Sequence, residues 1–172
     1  MAVIRVFLVG PMGAGKTTIG KLLADDLNLE FIDVDREIEA RSGVDIPWIF
    51  DREGETGFRI RESAALGELS QLDRVLISTG GGAVVSAENR RIMSATGTVI
   101  YLHTSVDEQV RRTSRDRKRP LLQNDDPARV LAELMAIREP LYRDIADIVV
   151  DTDGRGPKVV AQDLAAQLRQ LG

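Results

Sequence analysis

One octet constrains this chain more than any other stretch: Gly10-Pro11-Met12-Gly13-Ala14-Gly15-Lys16-Thr17, which has the P-loop form G-x-x-x-x-G-K-[ST]. The nearly unbroken apolar run Val3 to Val9 precedes it, and Ile19, Leu22, Leu23 and Leu27 follow on one helical face. A strand therefore feeds a glycine loop that opens a helix. Gly13 and Gly15 allow backbone N–H groups to turn inward around phosphate oxygens, with the positive end of the helix dipole beneath them. Lys16 is then placed to reach the β- and γ-phosphates of a nucleotide, and the Thr17 hydroxyl to ligate Mg²⁺. A plain glycine turn is the bland alternative, and the flanks weigh against it.

The rest of the sequence agrees with one α/β domain spanning residues 1–172. Apolar runs rich in β-branched residues, Glu30 to Asp35, Val75 to Thr79, Thr98 to Leu102 and Ile145 to Val150, alternate with helical patterns. The expected architecture is a three-layer α/β/α sandwich around a five-stranded parallel sheet. Strand alternation puts Asp33 and Asp35 on the same side, at the C-terminal edge where the P-loop also lies. Two carboxylates can thus face the phosphate site, Asp33 near the metal and Asp35 toward a substrate hydroxyl, or they are solvated loop acids. Gly80-Gly81-Gly82 after the third strand exposes bare backbone on which a ligand can lie, or simply makes a flexible turn.

Further along, Asp45 and Pro47 predict a helix that buries Trp48, Ile49 and Phe50, then a loop from Asp51 to Gly57 and a helix to about Leu72. Arg59, beside Phe58, can offer its planar fork to an anion. Arg115 to Pro127 is polar, charged and bounded by prolines, and is expected to be a mobile lid over about 113–126. A helix starting at Asp126 or Pro127 should end before Pro140, leaving Arg138 in its last turn. His103 has no obvious metal partners in sequence and is expected to be structural.

Composition excludes several classes. With no cysteine, the chain has neither a disulfide framework nor a Cys-ligated metal site, which fits a reducing cytoplasm. A net charge of −4 argues against general nucleic-acid affinity. No apolar run approaches the length of a membrane span and no basic segment precedes an apolar h-region, so a cytoplasmic chain with no membrane partner is expected.

Taken together, the P-loop, Asp33-x-Asp35, Phe58-Arg59, Gly80-Gly81-Gly82, Arg119-Pro120-Leu121 and Arg138-x-Pro140-Leu141-Tyr142 resemble the shikimate kinase family, from Val6 to about Pro157. The resemblance implies a nucleoside-monophosphate-kinase-like P-loop fold and transfer of the γ-phosphate of MgATP to the 3-hydroxyl of shikimate. It implies ATP and Mg²⁺ as cofactors, shikimate as the small-molecule partner, and a monomer. Carried over by motif, Gly13, Ala14, Gly15, Lys16, Thr17 and Thr18 are the phosphate cradle, with Thr17 and Asp33 at the metal. Lys16, Asp35 and Arg119 carry the catalytic roles, Arg119 as the lid arginine that reaches the phosphates. The segment of about 34–62 is the substrate-binding part, where Asp35 holds shikimate hydroxyls and Arg59 its carboxylate; from outside it, Arg138 joins Arg59 on the carboxylate and Gly80, Gly81 and Gly82 supply backbone contact. Arg112, Arg155 and Pro157 fall where the family contacts adenine. Other kinases of the same fold, gluconate- or nucleoside-monophosphate-kinase-like, and a nucleotide-binding regulatory module remain open at this stage.

Overall fold

The computed structural model describes residues 4–114 and 126–171. Arg119 and most of the expected lid lie outside the described residues. Five strands, β1 (Arg5–Val9), β2 (Glu30–Asp33), β3 (Val75–Ser78), β4 (Thr98–His103) and β5 (Ile148–Asp151), form one sheet in the order β2-β3-β1-β4-β5, every pair parallel. Side chains alternate between two cores. Phe7, Val9, Val75, Ile77, Val99 and Tyr101 point to one face, and Val6, Leu8, Leu76, Ile100 and Leu102 to the other. A parallel sheet covered on both faces has to be apolar at successive positions, and these strands are.

Helices α1 (Lys16–Leu27) and α7 (Pro157–Leu171) cover one face through Ile19, Leu23, Val160 and Leu164. The other face is covered by α2 (Val34–Ser42), α3 (Ile46–Leu69), α4 (Ala87–Thr96) and α6 (Pro127–Ile145), through Ile38, Ile49, Leu66, Met93 and Tyr142. A short α5 (Val106–Thr113) follows β4 and buries Gln109 and Thr113. The expected three-layer parallel α/β/α fold is what forms. Because all strands run the same way, the segments following Val9, Asp33, Ser78, His103 and Asp151 gather at one edge, and the site is built there.

Four local expectations are corrected. β2 stops at Asp33, so Asp35 is not a strand residue: α2 begins at Val34, and Asp33 caps it by accepting from Asp35 N at 2.9 Å and Arg36 N at 3.3 Å. Aspartate is a strong N-cap, and the bonds it gives the turn outweigh one more residue of strand. The expected loop from Asp51 to Gly57 is instead helical within α3, interrupted only at Gly54 (φ 72°, ψ −179°). The interruption is clasped from both sides by Arg61, whose guanidinium donates twice to the Glu53 carboxylate, at 2.9 and 2.7 Å. Trp48 is not core: it is 44% exposed and lies under the Arg52 guanidinium, 5.5 Å from ring to cation, while Ile49 is the buried neighbour. Finally, α6 runs through Pro140 to Ile145. Proline within a helix costs about 3 kcal/mol, and burial of Tyr142 and Ile145 beyond it offsets that penalty.

Candidate functional site

The P-loop leaves β1 and re-enters regular structure at Gly15, which caps α1 in the left-handed conformation (φ 84°); Gly13 is also left-handed (φ 80°). No side chain caps the first turn of α1, so its N–H groups face the loop, as an anion-binding helix end requires. Ala14 is fully buried at the floor. The Lys16 ammonium folds back and donates to the Gly10 and Pro11 carbonyls at 2.7 and 2.9 Å. A cavity of about 280 Å³ opens above, lined by Gly13, Gly15, Lys16, Thr17, Thr18, Asp33, Asp35, Ser78 to Gly81, Arg112 and Thr113.

At its rim the Thr17 hydroxyl donates to Asp33 Oδ2 at 3.5 Å. The two oxygens of Asp33 are thus divided, Oδ1 capping α2 and Oδ2 turned to the cavity. Among the described residues, no group of three or more His, Cys, Asp or Glu could hold a metal ion. A hydroxyl and one carboxylate beside a phosphate cavity do suit Mg²⁺, which keeps water and takes most of its remaining oxygens from substrate phosphates. His103, at the end of β4, has its Nδ1 3.5 Å from Asp151 Oδ1.

Arg112 fastens the cavity's far wall. Its guanidinium donates to Gly13 O at 2.8 Å, to Thr152 Oγ1 at 3.3 Å, to Thr152 O at 3.2 Å and to Glu108 Oε1 at 2.9 Å. Arg155 comes near this wall through its backbone, donating from N to Thr152 O at 3.2 Å, while its side chain turns to Asp163. Pro157 opens α7 on the surface. Neither Arg155 nor Pro157 lines the phosphate cavity.

A second cavity, of about 100 Å³, adjoins the first. Met12, Ile46, Phe50 and Phe58 form an apolar wall, and Asp35, Arg59, Glu62, Gly80 to Gly82 and Arg138 supply the polar groups. Phe50 and Phe58 pack with their rings tilted by 34° and centroids 4.8 Å apart, and Arg59 lies over Phe58 at 5.2 Å. The two arginines predicted from distant parts of the sequence meet at Gly82. A Cβ there would fall 2.2 Å from Arg59 Nη2 and 2.9 Å from Arg138 Nη2, so only glycine lets both guanidiniums close on this backbone. Arg138 is 7% exposed, and burial lowers its pKa, although a guanidinium remains protonated.

Glu62 is the residue that sequence reasoning missed. It is fully buried, its Oε1 accepts from Arg59 Nη1 at 2.9 Å, and its Oε2 has no hydrogen-bond partner among the described residues. Burial raises its pKa, opposed by the charge and hydrogen bond of Arg59. A signal was present: Phe58, Glu62, Ala65, Leu66 and Leu69 share the buried face of α3, so a glutamate occupies an apolar-periodic position.

Asp35, Gly80 and Gly81 line both cavities and form the wall between them. The arrangement can seat a small anion with apolar faces and hydroxyls next to a polyphosphate.

Known proteins point the same way. A family model described as shikimate kinase matches residues 12–169. The shikimate kinase of Pseudomonas syringae pv. tomato is 59% identical over 167 residues, which are 97% of this chain and 97% of that one. That of Hahella chejuensis is 59% identical over 165 residues, covering 96% of this chain and 86% of the relative. Among solved structures, a shikimate kinase from Acinetobacter baumannii in complex with shikimate has a TM-score of 0.95 at 45% identity, covering 98% of this chain and 94% of its own.

Proposed function

We propose a division of labour among the site residues from one premise: the chain belongs to the shikimate kinase family and phosphorylates shikimate with ATP. The nucleotide's phosphates lie in the cradle from Gly13 to Thr18, with Arg112 at its adenine side. Arg155 and Pro157 flank the base from the adjoining turn. Lys16 exchanges its two carbonyl partners for phosphate oxygens, and so carries its charge to the group being transferred. Thr17 and Asp33 hold Mg²⁺, which when bound neutralises phosphate charge. Arg59 and Arg138 clamp the substrate carboxylate, and the glycine backbone from Gly80 to Gly82 supports its ring.

Asp35 accepts a hydrogen bond from the 3-hydroxyl. As that oxygen attacks the γ-phosphorus, its proton passes to Asp35 while the bond to the leaving ADP oxygen breaks. Phosphoryl transfer asks the protein mainly for alignment and charge neutralisation. The observation that carries this reading is the shared wall: Asp35 belongs to both cavities, so one carboxylate can touch the acceptor while facing the phosphates. Arg119, outside the described residues, is assigned to the transferred phosphoryl group by its motif alone. The reading includes a monomer, since residues of a single chain line both cavities, and a cytoplasmic protein that binds no nucleic acid, on its lack of cysteine and its net charge of −4. Among the described residues no helix is long and apolar enough to cross a membrane.

Calorimetric titration tests the clamp. A charge-assisted hydrogen bond is worth about 1.5–3 kcal/mol, so Arg59→Ala or Arg138→Ala should weaken shikimate binding roughly 10- to 150-fold. ATP affinity should hardly move, and the corresponding lysine variants should recover only part of the loss, because a point charge does not reproduce the fork. Parallel loss of both ligands, or unchanged shikimate affinity, would remove the assignment.

A further inference from the structure

Arg138 and Tyr142 stand one turn apart on α6, both buried. The Tyr142 hydroxyl donates to the Gly81 carbonyl at 2.5 Å, and a Cβ on Gly81 would lie 3.7 Å from that hydroxyl and 3.3 Å from Arg138 Nη1, so phenol, guanidinium and glycine backbone converge. Its ring stacks on Tyr101 of β4, centroids 4.9 Å apart and planes 25° from parallel, so the phenol is held against the central sheet. A hydroxyl has one proton to give, and here the carbonyl takes it. The Gly81–Gly82 peptide is trans and planar, so fixing the carbonyl of Gly81 also fixes the opposite direction of the Gly82 N–H. One phenol therefore holds the backbone that flanks the acceptor cavity and lies beside the guanidinium that enters it.

The choice of a neutral partner is informative. Arg59 pairs with the carboxylates of Glu62 and Glu55, whereas among the described residues Arg138 has no carboxylate within ion-pair distance. Its charge is desolvated, and Glu55 and Glu62 act on it through charge alone, with no ion pair among the described residues. Burial also pushes the Tyr142 phenol well above its ordinary pKa, which keeps it neutral throughout the working pH range. A carboxylate in its place would orient Arg138 equally well but would cancel the charge that an incoming anion needs.

We propose that Tyr142 is a positioning residue for the acceptor: its neutral hydroxyl aims the Arg138 guanidinium and fixes the Gly81–Gly82 backbone, leaving the full charge of Arg138 to the substrate carboxylate. The proposal rests on the assignment of Arg138 to that carboxylate. Tyr142→Phe keeps the stacked ring and removes the hydroxyl. Loss of a hydrogen bond to a charged group is worth about tenfold or more in affinity, so KM for shikimate should rise at least tenfold while KM for ATP changes less than about twofold. Tyr101→Phe, which removes a hydroxyl bonded to Glu139 on the far side of the stack, should change neither constant.

Two further arms keep the outcomes separate. If Arg138→Ala leaves shikimate affinity intact, the underlying assignment of Arg138 is wrong. If Arg138→Ala weakens it and Tyr142→Phe does not, the assignment stands and the positioning role falls. Should Tyr142→Phe fail to fold, the chain's second tyrosine offers another route: with Tyr101→Phe in place, Tyr142 is the only tyrosine, and 3-fluorotyrosine reports from it alone. Its ¹⁹F resonance should move on saturation with shikimate and stay still with MgADP. A resonance insensitive to shikimate would overturn the proposal.

Discussion

Glu62 shows what a single buried charge does to a site made of arginines. It fixes Arg59 through Oε1, yet its surroundings favour its protonated form, because burial outweighs the attraction of Arg59 and the Asp35 carboxylate adds repulsion. That direction has a consequence for stability. A carboxyl whose pKa is raised on folding binds its proton more tightly in the folded than in the unfolded chain, where it titrates near about 4.3. Between the two values the folded state holds more protons, so raising the pH lowers stability. The stabilising contribution is complete below the unfolded pKa and is lost as pH rises through the folded one. Glutamine at this position cannot titrate. Scanning calorimetry of the wild type and Glu62→Gln across pH 4 to 8 should therefore show the wild type's advantage in Tm shrinking as pH rises, or reversing. An advantage that grows with pH would mean that Arg59 dominates and that the carboxylate is the favoured form.

At the scale of elements, local signals were legible and tertiary overrides were not. The P-loop, the helix start at Asp45 and the alternation of strands and helices are legible because each is decided by a few neighbouring residues. Pro140 reads as a stop in the sequence because its local penalty is real. What defeats it is the burial of Tyr142 and Ile145, which only the folded chain reveals. The sequence places Trp48 with Ile49 and Phe50 in the buried part of the helix after Asp45, whereas the helix turns Trp48 to the surface. The family motifs assign Arg59 and Arg138 to one carboxylate, their approach at Gly82 is visible only in the structure, and Glu62 falls outside the motifs. The glycine-rich stretch Asp51 to Gly57 is the instructive case: the sequence suggests a loop, and the structure folds it into α3 around one break at Gly54. Its φ of 72° with ψ of −179° is a region essentially reserved for glycine, and a Cβ there would meet nothing within 4 Å. Any penalty of Gly54→Ala is thus backbone strain alone, about 1–3 kcal/mol. Thermal unfolding should fall by about 2–4 °C for each kcal/mol in a domain of this size. An unchanged Tm would mean that α3 passes through Gly54 without needing the break.

For the molecule as a whole, the sheet edge places two chambers side by side, and the proposed metal ligands lie in only one of them. Thr17 and Asp33 belong to the phosphate chamber, and neither lines the acceptor chamber, where the charges are those of Arg59, Glu62, Arg138 and Asp35. A ligand that binds only the folded state stabilises it by RT ln(1 + [L]/Kd), about 2.7 kcal/mol at a hundredfold excess over Kd. Melting temperature can therefore report each chamber separately. Shikimate alone should raise Tm by the same amount with and without EDTA, whereas the shift produced by a non-hydrolysable ATP analogue with Mg²⁺ should fall substantially when EDTA is added. Asp33→Asn sharpens the test, because asparagine caps a helix about as well as aspartate but lacks the charge that favours a divalent cation. This variant should keep its fold and its full response to shikimate while losing most of the Mg²⁺-dependent part of the nucleotide response. If EDTA abolished the shikimate shift as well, the metal would have to serve the acceptor chamber. If Asp33→Asn responded to Mg²⁺ like the wild type, Asp33 would be a helix cap and nothing more.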